Sequence, residues 1–141
     1  MRSLDWLRTG DLGFFHDKEL YVCGRIKDLV IIRGRNHFPQ DIESSIENSD
    51  SSKLRPGCSA SFTIPHPVSQ EEVLVIVAEV RQKSMDYSEV VTNIRKAIFA
   101  DHALVPFSIV LVEQGSINKT TSGKIRRHAV CNSFKKKGKV L

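Results

Sequence analysis

At 141 residues, 40% of them hydrophobic and 26% charged, the chain has room for one modest core and none for a second full catalytic domain. No apolar run approaches the roughly 20 residues that span a bilayer, and the opening MRSLDWLRTG lacks a signal-peptide core, so a cytoplasmic location is expected. The formal net charge of +5 is unevenly placed: Gln114 to Leu141 contains no Asp or Glu but includes Lys119, Lys124, Arg126 and Arg127 and the run from Lys135 to Lys139. That surface attracts anions, or its end is simply a solvated basic tail.

Taken in chain order, Leu12 to Phe15 and Glu19 to Cys23 are β-prone runs joined by the turn-like His16-Asp17-Lys18, which predicts a hairpin. After Gly24, the apolar run Leu29-Val30-Ile31-Ile32 suits a short buried strand, and Gly34 ends it with a change of direction. Pro39 fits the first position of a helix running to about Asn48, with Asp41 and Glu43 near its positive end. Asn48 to Gly57 is polar and turn-rich and reads as a loop. Ser59 to Ile64 and Val73 to Val80 read as strands, the second apolar enough to lie centrally in a sheet.

Val90, Ile94, Ala97 and Ile98 recur at helical spacing and predict a helix over about Tyr87 to Asp101 that covers the sheet. Ile109 to Val112 supplies another strand, Gln114 to Ser122 a polar loop, and Ile125, Ala129 and Val130 one face of a last helix. The order is α+β: a small sheet flanked by helices and preceded by an N-terminal hairpin. Cys23, Cys58 and Cys131 form no C-x-x-C pair, so reduced thiols are expected, with neither a disulfide framework nor a metal site.

Three segments carry candidate chemistry: RTGD at Arg8 to Asp11, GRIKDLVIIRGRNHFPQDIE at Gly24 to Glu43, and NKTTSGKIRR at Asn118 to Arg127. Singly, each reads as a turn or a loop entering a helix. Together and in this order they resemble the late motifs of the adenylate-forming superfamily of acyl-CoA synthetases, nonribosomal peptide adenylation domains and luciferases, and the resemblance covers nearly the whole chain. Acyl-CoA synthetases commonly carry a pattern like G-x-x-I-x-P-x-E-I-E where this chain has Gly34-Arg35-Asn36-His37-Phe38-Pro39-Gln40-Asp41-Ile42-Glu43. That departure is similar to the fatty acyl-AMP ligases.

The resemblance implies a division of labour. Asp11, on a glycine-permitted turn, accepts hydrogen bonds from the ribose hydroxyls, and Arg25 offers a planar fork of donors to the nucleotide. Lys124 matches the catalytic lysine, whose ammonium stabilises negative charge when a fatty carboxylate attacks the α-phosphate of ATP. Lys27 matches the hinge of the swinging lid, or is a surface lysine. By this reading residues 1–27 are the tail of a large N-terminal domain and 28–141 the lid with its basic tail. Gly34, His37 and Phe38 lie on the pantetheine path, although His37 is equally a packing residue.

ATP and Mg²⁺ are the expected substrate and cofactor of the whole enzyme. Its expected partners are the large domain in cis, a fatty acid, and the phosphopantetheine arm of an acyl carrier protein. The chain alone is expected to be inactive. The rival readings are the lid of a fatty acyl-CoA ligase and a non-catalytic module that binds an acidic carrier protein. Nucleic acid is not an expected partner, because the basic residues are not interleaved with aromatics suited to base stacking.

Overall fold

A computed structural model describes residues 7–83 and 86–137. The expected hairpin is present as β1 (Asp11–His16) and β2 (Glu19–Arg25), paired antiparallel. Its loop residues Asp17 and Lys18 both have positive φ, the backbone twist that lets a two-residue turn match the twist of its strands. A single helical turn, Ile26–Asp28, leads out of the hairpin.

Where a direction change alone is predicted at Gly34, the chain makes a second hairpin, β3 (Val30–Ile32) and β4 (Arg35–His37). Arg33 and Gly34 both have positive φ, so this too is a tight two-residue turn. The run predicted to be buried is buried on one side only: Val30 is in the core, while Ile31 is exposed. A strand alternates its faces, and a wholly apolar run hides that alternation.

α1 (Pro39–Ser49) begins at the proline as expected, with Asp41 in its first turn and Ile42 and Ile46 on its buried face. β5 (Leu54–Pro65) starts inside the segment predicted to be loop. Its register shifts between Leu54 and Ser59, so a polar bulge containing Pro56 and Gly57 interrupts a strand that is already paired at Leu54. β6 (Glu72–Val80) lies centrally, antiparallel to β5 and parallel to β7 (Ser108–Val112). The parallel crossover is made by α2 (Ser88–His102), which covers one sheet face together with α1.

The alternation of β6 divides the interior in two. Leu74, Ile76, Ala78 and Val80 pack with Ile42 and Ile46 of α1 and Ile94 and Ile98 of α2. Val75 and Val77 face the other way, towards Ala60 and Phe62 of β5, Ile117, and Val130 of α3 (Arg127–Lys137). Fully burying each such side chain stabilises by about 1.5–3 kcal/mol, which explains why β6 reads as one apolar run.

α3 begins later than its apolar spacing suggests. Ile125 precedes it and pairs with Lys119 in a lone antiparallel bridge, so Ile125 reaches the core from the loop. Lys135, Lys136 and Lys137 form the last turn of α3, where cations meet the negative helix end. They are therefore helical, and Lys139 lies outside the described residues. Among the described residues no helix is long and apolar enough to cross a membrane.

Candidate functional site

Asp11 opens β1 and Arg25 closes β2, and the hairpin register sets the two directly opposite each other. Arg25 Nε lies 3.6 Å from Asp11 Oδ1, and both side chains remain open to solvent. Gly10, at φ +78°, makes the preceding turn, and its carbonyl accepts from Ile26 N at 2.9 Å. The two nucleotide candidates are thus neighbours at the open end of one ribbon. Exposed ion pairs of this kind add little stability, so both groups remain available to a ligand.

Lys27 occupies the middle of the short turn between β2 and β3, exposed, with Leu29 N bonded to Ile26 O at 3.3 Å. Asp28, its neighbour, is partly buried and belongs to a different environment. Arg127 Nη1 lies 3.5 Å from Asp28 Oδ2, and His128 Nε2 lies 3.4 Å from Asp28 Oδ1.

Lys124 is carried on a compact turn between β7 and α3. Thr120 N bonds to Lys124 O at 2.8 Å, Gly123 N to Thr120 O at 2.9 Å, and Lys124 N to Thr120 Oγ1 at 3.0 Å. Gly123, at φ +81°, permits the reversal. The loop expected here is therefore a well-bonded turn. Lys124 is exposed, and among the described residues its ammonium has no hydrogen-bond or ion-pair partner. Lys119, at the stem of the same turn, is engaged instead, with Nζ 3.1 Å from Cys58 Sγ.

Gly34 and His37 line an open cavity of about 760 Å³ between the β3–β4 hairpin, the start of β6 and the residues that follow α2. Phe38 does not line it. That ring precedes α1, near Gly24 of the hairpin. His37 Nε2 is buried with no hydrogen-bond partner among the described residues, and its ring packs edge-on against His102 at 6.3 Å. Burial holds the His37 imidazole below its usual value, with the charges of His102 and Arg35 acting in the same direction. His102 Nε2 is itself bonded to Ser45 Oγ at 2.9 Å.

Two carboxylates outside the candidate set are buried. Glu43 reads as an acid at a helix start, yet it is buried in α1, where it accepts from Ser61 N at 3.0 Å and from Arg127 Nε at 2.7 Å and Nη2 at 2.5 Å. Burial pushes its carboxyl above the usual value, and the Arg127 guanidinium opposes that push. Arg127 therefore turns inward and does not contribute its charge to the basic surface expected over Gln114 to Leu141.

Glu79 is 1% exposed and accepts from Ile117 N at 2.8 Å and from Arg55 Nη1 at 2.5 Å. Burial raises its pKa, but the bonds from Ile117, Gly115 and Arg55 together overcome it, and the carboxyl sits below its usual value. The available signal was a single acid inside the apolar run Val73 to Val80. Among the described residues no group of three or more His, Cys, Asp or Glu is placed to hold a metal.

Comparison with known proteins gives a consistent result. The chain is similar to the medium-chain-fatty-acid–[acyl-carrier-protein] ligase JamA of Moorena producens (strain JHB), at 51% identity over 127 residues, covering 88% of this chain and 21% of that protein. It is similar to the long-chain-fatty-acid–AMP ligase FadD26 of Mycobacterium tuberculosis, at 40% identity over 140 residues, covering 94% of this chain and 23% of that protein. A solved structure from a study of fatty acyl-adenylate ligases of E. coli and L. pneumophila superposes with a TM-score of 0.81 at 33% identity, covering 96% of this chain and 23% of that one. The chain thus spans 21–23% of the length of these relatives. Residues 27–140 match the model of the Disco-interacting protein 2-like AMP domain, and the chain belongs to that family.

Proposed function

We propose that this chain is the C-terminal lid of a fatty acyl-AMP ligase, an ATP-dependent, cytosolic enzyme. A fatty carboxylate oxygen attacks the α-phosphate of ATP, the new O–P bond makes acyl-AMP, and pyrophosphate leaves. A thiol on the phosphopantetheine arm of an acyl carrier protein then attacks the acyl carbonyl, and AMP leaves. The observation that carries this reading is the free ammonium of Lys124 on a bonded, glycine-permitted turn, in a chain 51% identical to an acyl-carrier-protein ligase.

Each residue has a role that follows from its chemistry. Lys124 supplies positive charge to the phosphoryl oxygens as charge accumulates on them. Asp11 accepts from ribose hydroxyls, and Arg25 exchanges its long contact with Asp11 for nucleotide oxygens. Lys27 is the pivot, with residues 1–27 belonging to the large domain. The family match beginning at residue 27 supports that division. Gly34 and His37 line the cavity that meets the pantetheine arm once the lid has turned, and Phe38 stands outside it on the same path.

The test is Lys124→Ala in the intact ligase, followed as fatty-acid-dependent pyrophosphate release. Acyl-AMP formation is expected to fall by orders of magnitude, about 10²-fold or more. Near-normal adenylation rejects the role. The purified chain is expected to make no acyl-AMP, and measurable product from it overturns the assignment of the remaining machinery to a separate domain. Assay with free coenzyme A against holo carrier protein decides the acceptor, and preference for coenzyme A would make this the lid of an acyl-CoA ligase.

A further inference from the structure

The Lys124 turn has two feet, and each ends on a buried carboxylate. At the leading foot, Glu79 on β6 accepts from Ile117 N at 2.8 Å and is itself held by Arg55. At the trailing foot, Arg127, the first residue of α3, donates from two nitrogens to Glu43 on α1. Between the feet, Arg126 N bonds to Asn118 O at 3.0 Å, Lys119 pairs with Ile125, and Thr120 closes the tip through Lys124 O. Ile117 and Ile125 are set into the same apolar cluster.

Burying an ion costs several kcal/mol even after relaxation, and a well-packed apolar pair stabilises at least as well in many folds. Two such carboxylates flanking one eleven-residue span, about the length of three helical turns, point to a demand for geometry. Glu79 also receives a backbone N–H that an apolar residue would leave unpaired in the interior. At the tip the Lys124 ammonium has no hydrogen-bond or ion-pair partner among the described residues, while the feet of the turn are tied to β6 through Ile117 N and to α1 through the Arg127 side chain.

We infer that Glu79 and Glu43 are positioning residues that brace the Lys124 turn, so that the ammonium reaches or leaves a phosphate only when the lid moves as one body. This rests on the role of Lys124 proposed above. Neither carboxylate touches substrate. Each acts by removing the freedom of the turn to bend, because small misplacements of a charge at a reacting phosphorus are costly.

The experiment compares Glu79→Leu, Glu79→Gln and Lys124→Ala in the intact ligase. Adenylation is followed by pyrophosphate release, and acyl transfer is started separately from supplied acyl-AMP. Glu79→Leu is expected to lower kcat for adenylation about 100-fold with the KM for ATP within about twofold, and to leave transfer unchanged. Glu79→Gln, which keeps an acceptor for Ile117 N, restores most of the rate. Full adenylation in Lys124→Ala overturns the role of Lys124 and the brace with it. Loss in Lys124→Ala with a normal rate in Glu79→Leu overturns the brace alone. Loss of both half-reactions in step, with an early melt, overturns it in favour of a purely structural carboxylate.

Discussion

Glu43 receives two nitrogens of the Arg127 guanidinium, Nε at 2.7 Å and Nη2 at 2.5 Å, across 84 positions of sequence. This pair fastens the start of α3 to α1, and Asp28 lies on the same guanidinium at 3.5 Å. Arg127→Met leaves a carboxylate buried without its counter-ion and is expected to destabilise the fold by about 3–5 kcal/mol. Urea unfolding measures it. Combining Arg127→Met with Glu43→Gln, which removes the charge and keeps an acceptor for Ser61 N, is expected to recover most of that loss, and a double variant as weak as the single one contradicts the account.

Lys27 sits in a turn whose one local backbone bond runs from Leu29 to Ile26, while Asp28 beside it is already tied to Arg127 and His128. On the pivot proposed above, a rotation at 27 leaves the anchored Asp28 and the body beyond it in place. Lys27→Pro fixes φ near −65° and is expected to hold one lid pose, lowering one half-reaction at least about tenfold while sparing the other. Single-turnover assays of both steps decide, and two normal rates rule out a pivot at this residue.

His37 is expected to give the fold a pH dependence whose sign follows from its burial. Its folded pKa is lowered from 6.5, first by burial and then by His102 and Arg35. Below pH 6.5 the unfolded chain therefore takes up a proton that the folded chain refuses, and stability falls as pH drops from there towards the folded value. His37→Phe is expected to flatten this part of the curve. Melting temperatures across pH 5 to 8 test it, and an unchanged slope assigns the dependence to other groups.

Gly123 has φ +81°, and a Cβ there would meet nothing within 4 Å. Gly123→Ala is therefore strained without being blocked, at about 1–2 kcal/mol. A small loss of stability with a larger loss of adenylation than of acyl transfer is the expected pattern, because the strain falls on the turn that presents Lys124. Equal loss of both steps argues that the turn matters only for folding.

Local chemistry makes part of this protein legible in its sequence. Pro39 and Asp41 mark the start of α1, the spacing of Val90, Ile94 and Ile98 marks α2, and the apolar run of β6 marks a strand covered on both faces. The candidates Asp11, Arg25, Lys27 and Lys124 are marked by the resemblance of their segments to the adenylate-forming superfamily. What escaped is set by distance. The start of β5 at Leu54 depends on pairing with Val80 across a bulge, and the second hairpin depends on two positive-φ residues, one of them an arginine.

The partners of Glu43 and Glu79 lie on other elements, at Arg127, Ser61, Ile117 and Arg55. Sequence alone determines which groups can carry charge. Only the packed structure decides which of those charges leave water, because desolvation depends on neighbours that chain order does not bring together.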